Sequence, residues 1–128
     1  MRSERGQALS AFVAVSVLGL LLMCGLVVDG GAQVAATRRA QAAAAQAARS
    51  ALDTTATARL AGAEPDTGRA IAAGREVLQA HGVNGDITLR AGQVEVSTST
   101  EVETVFLSLI GITALHATGS ATAELRTG

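Results

Sequence analysis

The chain has 128 residues, enough for one small domain, and its 10 basic residues, all Arg, nearly balance 11 acidic residues. Its hydrophobic content is 48% but only 2% is aromatic, because alanine alone fills 27 positions. This composition argues against a nucleic-acid-binding domain, which normally has a basic excess and aromatic stacking platforms. A single cysteine excludes an intramolecular disulfide framework and a multi-thiolate zinc site.

Residues 8–28 form an uncharged apolar run, ALSAFVAVSVLGLLLMCGLVV, with only two serines as polar interruptions. At about 1.5 Å per helical residue the run is roughly 30 Å long, which matches the hydrocarbon core of a bilayer. Its backbone amides can be satisfied in lipid only within a helix. A buried helix of a soluble protein is the alternative, but the remaining Ala- and Gly-rich residues cannot supply a core large enough. The sequence therefore predicts a transmembrane helix over residues 8–28.

Two other interpretations of this apolar run, a cleaved secretory signal and a lipoprotein signal, agree less well with its length and sequence. A cleaved secretory signal has an apolar region of about 7–15 residues before a small-x-small site. Gly30 and Ala32 imitate such a site, but the run before them is longer. A lipoprotein signal needs small residues before its cysteine, whereas Leu22 and Met23 precede Cys24. We therefore expect a membrane anchor.

The charges beside the anchor predict its orientation. Arg2, Arg5 and the amino terminus oppose only Glu4, so residues 1–7 are expected to remain in the cytoplasm. A C-terminal part of about a hundred residues can be translocated largely regardless of its charge. The predicted localisation is the plasma membrane, with a single pass, a cytoplasmic N-terminus and an extracytoplasmic C-terminal domain.

Residues 29–61 are rich in alanine, glutamine and arginine, so they predict an extracytoplasmic helix that follows the membrane segment. Gly30 and Gly31 either kink the junction or lie within one long rod. The broad surface of small side chains suits close approach of another helix, which makes Ala44 and Ala48 candidate interface residues. GC-rich codon usage is an alternative explanation of the same composition.

Residues 62–128 predict a small head with a short helix followed by strands. Alternating apolar and polar residues predict a β-hairpin over 86–97, turning at Ala91-Gly92, and a C-terminal strand over 112–126. Residues 104–110 fit either a buried strand or one or two helical turns. The predicted fold class is α+β, with a long N-terminal transmembrane helix that continues into an Ala-rich helix, a second short helix, and a pilin-like antiparallel sheet of about three strands.

Residue patterns that carry catalysis or metal binding are largely missing. His81 and His116 fall in different predicted elements, with no nearby cysteine and no HxxxH spacing, so exposed or capping roles are favoured. Glu101 and Glu103 share one face of a strand, which is typical of a solvated surface rather than of a catalytic carboxylate pair. We therefore predict a protein that is not an enzyme and that has no cofactor and no metal.

Asp29 ends the apolar run at the predicted outer membrane interface. In one interpretation its charge stays hydrated there and only marks the boundary of the spanning segment. In the other it pairs with Arg38 or Arg39 of a neighbouring subunit's helix, because an unpaired charge in lipid is costly. Such a pair sets the axial register between subunits, which makes all three residues interface candidates.

Four features of the N-terminal part occur together in residues 5–51. They are Arg5-Gly6 before the apolar run, the run GLVVDGG from Gly25 to Gly31, the pair Arg38-Arg39, and the run QAAAA from Gln41 to Ala45. With these features the segment resembles the N-terminal part of the TadE/TadG-like, tight-adherence (Flp-type) pilus-assembly family. The downstream run TVFLSLIGI at 104–112 is similar to the extracytoplasmic ends of such proteins.

This resemblance implies a bitopic, pilin-like component of a bacterial pilus or related secretion system, without catalysis. Pilin relatives are often cut after the glycine that precedes the apolar run, which makes the bond between Gly6 and Gln7 the candidate cleavage site. Many of them carry a glutamate five residues into the mature chain, where this chain has Ala11. The implied role is therefore an uncleaved assembly factor or a minor subunit rather than a major pilin. The implied partners are the lipid bilayer, other pilus or secretion-system subunits and further copies of this chain, but not nucleic acid.

The sequence favours two functions, and a small secreted enzyme is a third, disfavoured alternative. In the first, the membrane helix and the Ala-rich helix pack laterally against other subunits while the head contacts a partner. In the second, the chain is a membrane-anchored extracytoplasmic binding module of unknown ligand that acts through its head alone. We expect Ala44→Leu or Ala48→Leu to distinguish them, because overpacking disrupts helix-driven assembly and leaves a head-only binder unaffected.

Overall fold

A computed structural model of the protein describes residues 2–124. It contains two α-helices, three strands and a short 3₁₀-helix: α1 (Arg2–Leu60), α2 (Thr67–Ala80), β1 (Asn84–Arg90), β2 (Gln93–Glu103), the 3₁₀-helix (Leu107–Ile110) and β3 (Ala114–Glu124). The strands form one antiparallel sheet in the order β1-β2-β3. The predicted α+β class, with a long helix, a short helix and a three-stranded antiparallel sheet, is confirmed. The last strand begins two residues later than predicted, and residues 125 and 126 of that prediction lie outside the described range.

The N-terminal helix α1 is a single element of 59 residues, about 90 Å long at the usual helical rise. Gly30 and Gly31 lie inside it, so the long rod rather than a break at the glycine pair is the observed structure. The helix ends at Leu60, and the turn that follows contains Gly62, whose φ of +73° suits glycine. There the Ala63 N–H donates to the Ala58 carbonyl, which gives the hydrogen-bond pattern of a Schellman motif.

The hydrophobic core lies between the second half of α1, α2 and the sheet. Val94 and Val96 of β2 are completely buried in it, and Leu78 of α2 packs beside them. Between residues 36 and 51 of α1 the buried positions are all alanines, which form a flat face that lets the sheet approach the helix closely. These alanines are Ala36, Ala40, Ala43, Ala44, Ala47, Ala48 and Ala51.

Gly119 of β3 lies directly against the backbone of α1. A Cβ atom added to it would stand 2.5 Å from the Ala40 carbonyl carbon and from the Gln41 nitrogen. Beside it, the buried Thr98 hydroxyl lies 2.8 Å from the Ala40 carbonyl oxygen and 3.1 Å from the Gly119 carbonyl oxygen, so its single proton serves both. At this point the sheet therefore packs directly against the backbone of α1 rather than against long side chains.

Glutamines of α1 supply hydrogen bonds to β3, one of the two edge strands of the sheet. The Gln41 side chain donates to the Ser120 carbonyl (2.5 Å) and accepts from the Ser120 N–H (3.1 Å), like a neighbouring strand. Gln33 donates to the His116 carbonyl at 3.2 Å. These contacts give partners to edge groups that otherwise face solvent, and they align the sheet along α1.

The alanine face of α1 is covered by the protein's own head, which corrects the interpretation of two candidate interface residues. Ala44 and Ala48 are 0% and 1% exposed and belong to the intramolecular core. They therefore present no surface to a neighbouring subunit in this fold. As a result, leucine substitutions there do not separate helix-driven assembly from head-only binding, because they act on the head in both cases.

We predict that Ala44→Leu destabilises the head by about 1–3 kcal/mol, because the larger side chain overpacks a completely buried site. Ala42→Leu, at an exposed position two residues earlier, is the matched control and is expected to stay within about 0.5 kcal/mol of the unmodified protein. Thermal unfolding of the full chain in detergent micelles, followed by circular dichroism, measures both. Equal melting temperatures for the two variants would contradict the assignment of Ala44 to the core.

Candidate functional site

The site lies where the apolar part of α1 leaves the head. Residues 104–113, which connect β2 to β3 and are called the junction loop below, fold back along α1 on the side of the apolar run. They contain the short 3₁₀-helix, closed by Gly111 with a φ of +90°. Of the two conformations expected for residues 104–110, the structure shows the helical one, in its 3₁₀ form.

Asp29 binds the junction loop through its carboxylate. Oδ1 accepts the Val105 N–H at 2.9 Å, and Oδ2 accepts the N–H groups of Phe106 and Leu107 at 3.0 and 2.7 Å. These amides belong to the two residues before the 3₁₀-helix and to its first residue, so Asp29 caps its start from 76 to 78 positions away in the chain. A negative charge is favourable at this end of a helix, where N–H groups point outward without partners.

Asp29 is only 2% exposed, because the junction loop covers it. The hydrogen bonds from Val105 and Leu107, followed by the one from Phe106, hold the pKa of the Asp29 carboxyl below its usual range, although burial acts in the opposite direction. The carboxylate is therefore stabilised by backbone amides of its own chain. This differs from both predicted roles, since the charge is neither hydrated nor open to an arginine of another subunit.

The junction loop is closed by its own hydrogen bonds. The Thr104 N–H donates to the Thr113 carbonyl (3.1 Å), and the Thr104 hydroxyl donates to the Ile112 carbonyl. Within the loop, the N–H groups of Leu109, Gly111 and Ile112 donate to loop carbonyls 3.0–3.2 Å away. The loop is therefore a compact unit attached to α1 through Asp29.

Phe106 packs onto α1 one turn below Asp29. A Cβ atom added to Gly25 would stand 2.5 Å from Phe106 Cβ and 2.9 Å from Phe106 Cγ. Leu109 and Ile110 extend the contact further down α1, where they line one apolar crevice with Leu22 and its helix neighbours. Gly25 thus provides the space in which the junction loop meets the apolar run.

The remaining candidate residues are dispersed along α1. Arg38 and Arg39 are exposed, and they lie more than two turns beyond Asp29. Gly6 and Gln7 are exposed too, and the bond between them lies within α1. The structure therefore does not bring these residues together with Asp29 in one site.

Both histidines lie on the head. His81 is the C-terminal cap residue of α2, and its Nε2 is 2.8 Å from Oε1 of Gln46 on α1. His116 lies 3.5 Å from Glu101 on the neighbouring strand, with both side chains mostly exposed, so this pair contributes little to stability. Within residues 2–124 no group of three or more His, Cys, Asp or Glu side chains could hold a metal ion.

One described helix, α1, is long and apolar enough to cross a membrane. Its apolar window has a mean hydropathy of 2.7 and is only 6% buried, unlike the core helix of a soluble protein. The TadE/G-like Flp pilus-assembly family model matches residues 6–76, more than half of the chain. The chain belongs to this family. The resemblance noted in residues 5–51 is thus confirmed, and the matched range adds the end of α1 and most of α2.

Membership in the TadE/G-like family places the protein in Flp pilus assembly. Searches of the curated proteins and of the solved structures found no significant match to this chain. The family match ends before the sheet and the junction loop, so the Asp29 site is described by the structure alone.

The contact between Asp29 and the junction loop was not predicted from the sequence. Two signals were available: an acidic residue directly after the apolar run, and a second apolar stretch, TVFLSLIGI, near the C-terminus. Neither signal shows that the two segments contact each other, because the groups that bind Asp29 are backbone amides, which every residue except proline carries.

Proposed function

We propose that this TadE/G-like protein is a non-catalytic, bitopic membrane component of the Flp pilus machinery, acting as an assembly factor or minor pilin-like subunit. Residues 8–28 of α1 span the membrane, with residues 1–7 in the cytoplasm and the head outside. The observation that carries this proposal is the family match over residues 6–76, which includes the apolar run and the Ala-rich part of the same helix.

The distribution of buried surface supports different roles for the two halves of α1. The head covers the alanine face from Ala36 to Ala51, so that part of the helix already has its packing partner. In contrast, the large apolar side chains between Leu9 and Val28 are largely exposed, apart from the side near Gly25 that the junction loop contacts. We therefore assign lateral helix packing against other pilus subunits to residues 8–28.

Small residues in this segment offer places where another helix can approach closely. Ser10 and Ala14 lie four residues apart on one face, and a Cβ atom added to Gly19 would meet no neighbouring atom within 4 Å. Small side chains spaced four residues apart favour close helix contacts in lipid. Arg38 and Arg39, exposed beyond the membrane, remain candidates for contacts with partner subunits.

A chimera tests this proposal. Residues 8–24 are replaced by an unrelated leucine-rich spanning sequence of equal length, which leaves Gly25, Asp29 and the head unchanged. We expect the chimera to reach the membrane with a folded head and to lose pilus production in cells that lack the native gene. In the matched control, three exposed leucines of the same segment are exchanged for isoleucine, which keeps the small residues and is expected to retain pilus production.

The alternative function is a membrane-anchored binding module of unknown ligand. It is favoured if the chimera supports pilus production as well as the control does, because the head alone then suffices.

The mass of the intact protein extracted from membranes shows whether the N-terminus is cleaved. Loss of the first six residues indicates cleavage between Gly6 and Gln7, whereas full length indicates an uncleaved anchor.

A further inference from the structure

The junction loop exposes an unusual amount of apolar surface for a strand connection. Val105, Leu109 and Ile110 are 66%, 83% and 61% exposed, and Ile112 is 43% exposed. Residues 104–113 carry no charge. A soluble protein rarely leaves such a contiguous apolar patch in water, and a patch of this kind marks a contact with a membrane or another protein.

The position of this patch along α1 favours lipid as its occupant. Leu109 and Ile110 share a crevice with Leu18, Leu21 and Leu22, which belong to the apolar run. Counted from Val28 at about 1.5 Å per residue, Leu22 lies about 9 Å inside that run. If residues 8–28 span the bilayer, the tip of the junction loop lies within the hydrocarbon region.

Hydrogen bonds within the loop and to Asp29 lower the cost of placing this non-helical backbone at such a depth. Polar backbone groups in lipid must find partners inside the protein. The Asp29 carboxylate takes the N–H groups of residues 105–107, and the Leu109, Gly111 and Ile112 N–H groups are paired within the loop. Two of the loop's hydroxyls are paired as well, since Ser108 donates to the Val105 carbonyl and Thr104 to that of Ile112.

We propose that the junction loop is inserted into the leaflet on the head's side of the membrane, where Val105, Leu109, Ile110 and Ile112 contact lipid acyl chains. Asp29 favours this insertion, because it lies at the membrane boundary and accepts the hydrogen bonds of the Val105, Phe106 and Leu107 amides. The loop and α1 then hold the head at one height and one rotation relative to the bilayer. This inference rests on the proposed spanning role of residues 8–28.

The test uses the full chain, with Cys24 replaced by serine, reconstituted in phosphatidylcholine vesicles. Single cysteines at Leu109, at Leu22 and at the exposed Thr88 of β1 carry an environment-sensitive fluorophore. Lipids with a nitroxide on the acyl chain report contact with hydrocarbon, and iodide reports contact with water. For Leu109→Cys we expect acyl-chain quenching at least about threefold stronger than for Thr88→Cys, together with protection from iodide.

The Leu22→Cys label separates failure of this inference from failure of the proposed function. If Leu22→Cys is quenched from the acyl chains while Leu109→Cys is as accessible to iodide as Thr88→Cys, the helix spans and the loop does not insert, which overturns the inference. If Leu109→Cys is shielded from both quenchers, the loop is covered by protein, which also overturns it. If Leu22→Cys itself is quenched by iodide, the spanning role fails as well.

Discussion

Gly119→Val is expected to separate the sheet from α1 and to lower the melting temperature of the head by roughly 10 °C or more. Overpacking usually costs about 1–3 kcal/mol, and sometimes more when the neighbour cannot move. Here the added Cβ meets backbone atoms of Ala40 and Gln41 at 2.5 Å rather than a flexible side chain. The helix backbone cannot yield without breaking its own hydrogen bonds, so the strand must shift.

Thr118→Val is the matched control for this substitution. Thr118 is the preceding residue of β3 and is exposed, and the exchange introduces the same side chain on the opposite face of the strand. Because valine favours strands, any intrinsic preference acts to stabilise both variants. Circular dichroism of the full chain in micelles measures the two melting temperatures. A difference of only a degree or two between them would show that β3 does not approach the helix as closely as described.

Asp29→Ala is expected to release the junction loop from α1. The substitution leaves the N–H groups of Val105, Phe106 and Leu107 without acceptors, and partly buried donors in this state are unfavourable. We expect amide hydrogen exchange at these residues to accelerate on the order of tenfold or more. The reason is that opening of the loop no longer has to break the three hydrogen bonds to the Asp29 carboxylate. Exchange in the core strand β2 is expected to change much less.

Asp53→Ala provides the control for the loss of an acidic side chain from α1, because Asp53 is exposed and distant in sequence from the membrane boundary. Mass-spectrometric hydrogen exchange on the full chain in micelles resolves the loop from the strands. The role of Asp29 would be refuted by equal loop exchange in the Asp29→Ala and Asp53→Ala variants.

The same contact predicts a pH dependence with a definite sign. The folded state lowers the pKa of the Asp29 carboxyl, so the stabilising effect is fully present above the ordinary aspartate pKa of about 4. It is lost as the pH falls through the lower pKa of the folded state, because protonation removes the charge that the amides stabilise. Loop exchange, corrected for its intrinsic rate, should therefore accelerate at acidic pH in the unmodified protein and stay nearly constant in Asp29→Asn.

Several features could be predicted because they depend on residues close together in the chain. The uncharged apolar run of residues 8–28 indicates a helix suited to a membrane by its length alone. Asp66 caps α2 by accepting hydrogen bonds from the N–H groups of Gly68 and Arg69, which lie two and three residues further along the chain. The hairpin turn lies at Ala91-Gly92, where both residues have positive φ angles.

Other features depend on which distant surfaces meet, and local patterns do not contain that information. A face of alanines fits any partner that approaches closely, so the composition of α1 is equally consistent with a neighbouring helix and with the protein's own sheet. The protein's own sheet is the partner because Gly119 and Thr98 let β3 and β2 contact the helix backbone near Ala40. The correction of Ala44 and Ala48 from interface to core follows from this long-range match.

Asp29 shows the same division between sequence and tertiary structure. The sequence by itself determined that a charge stands at the end of the apolar run and that a second uncharged run occurs after β2. Only the tertiary structure decided that this charge binds the amides of Val105 to Leu107. The physical reason is that a carboxylate can be satisfied by water, by an arginine or by any free N–H group, and the choice depends on which of them the fold brings within hydrogen-bonding distance.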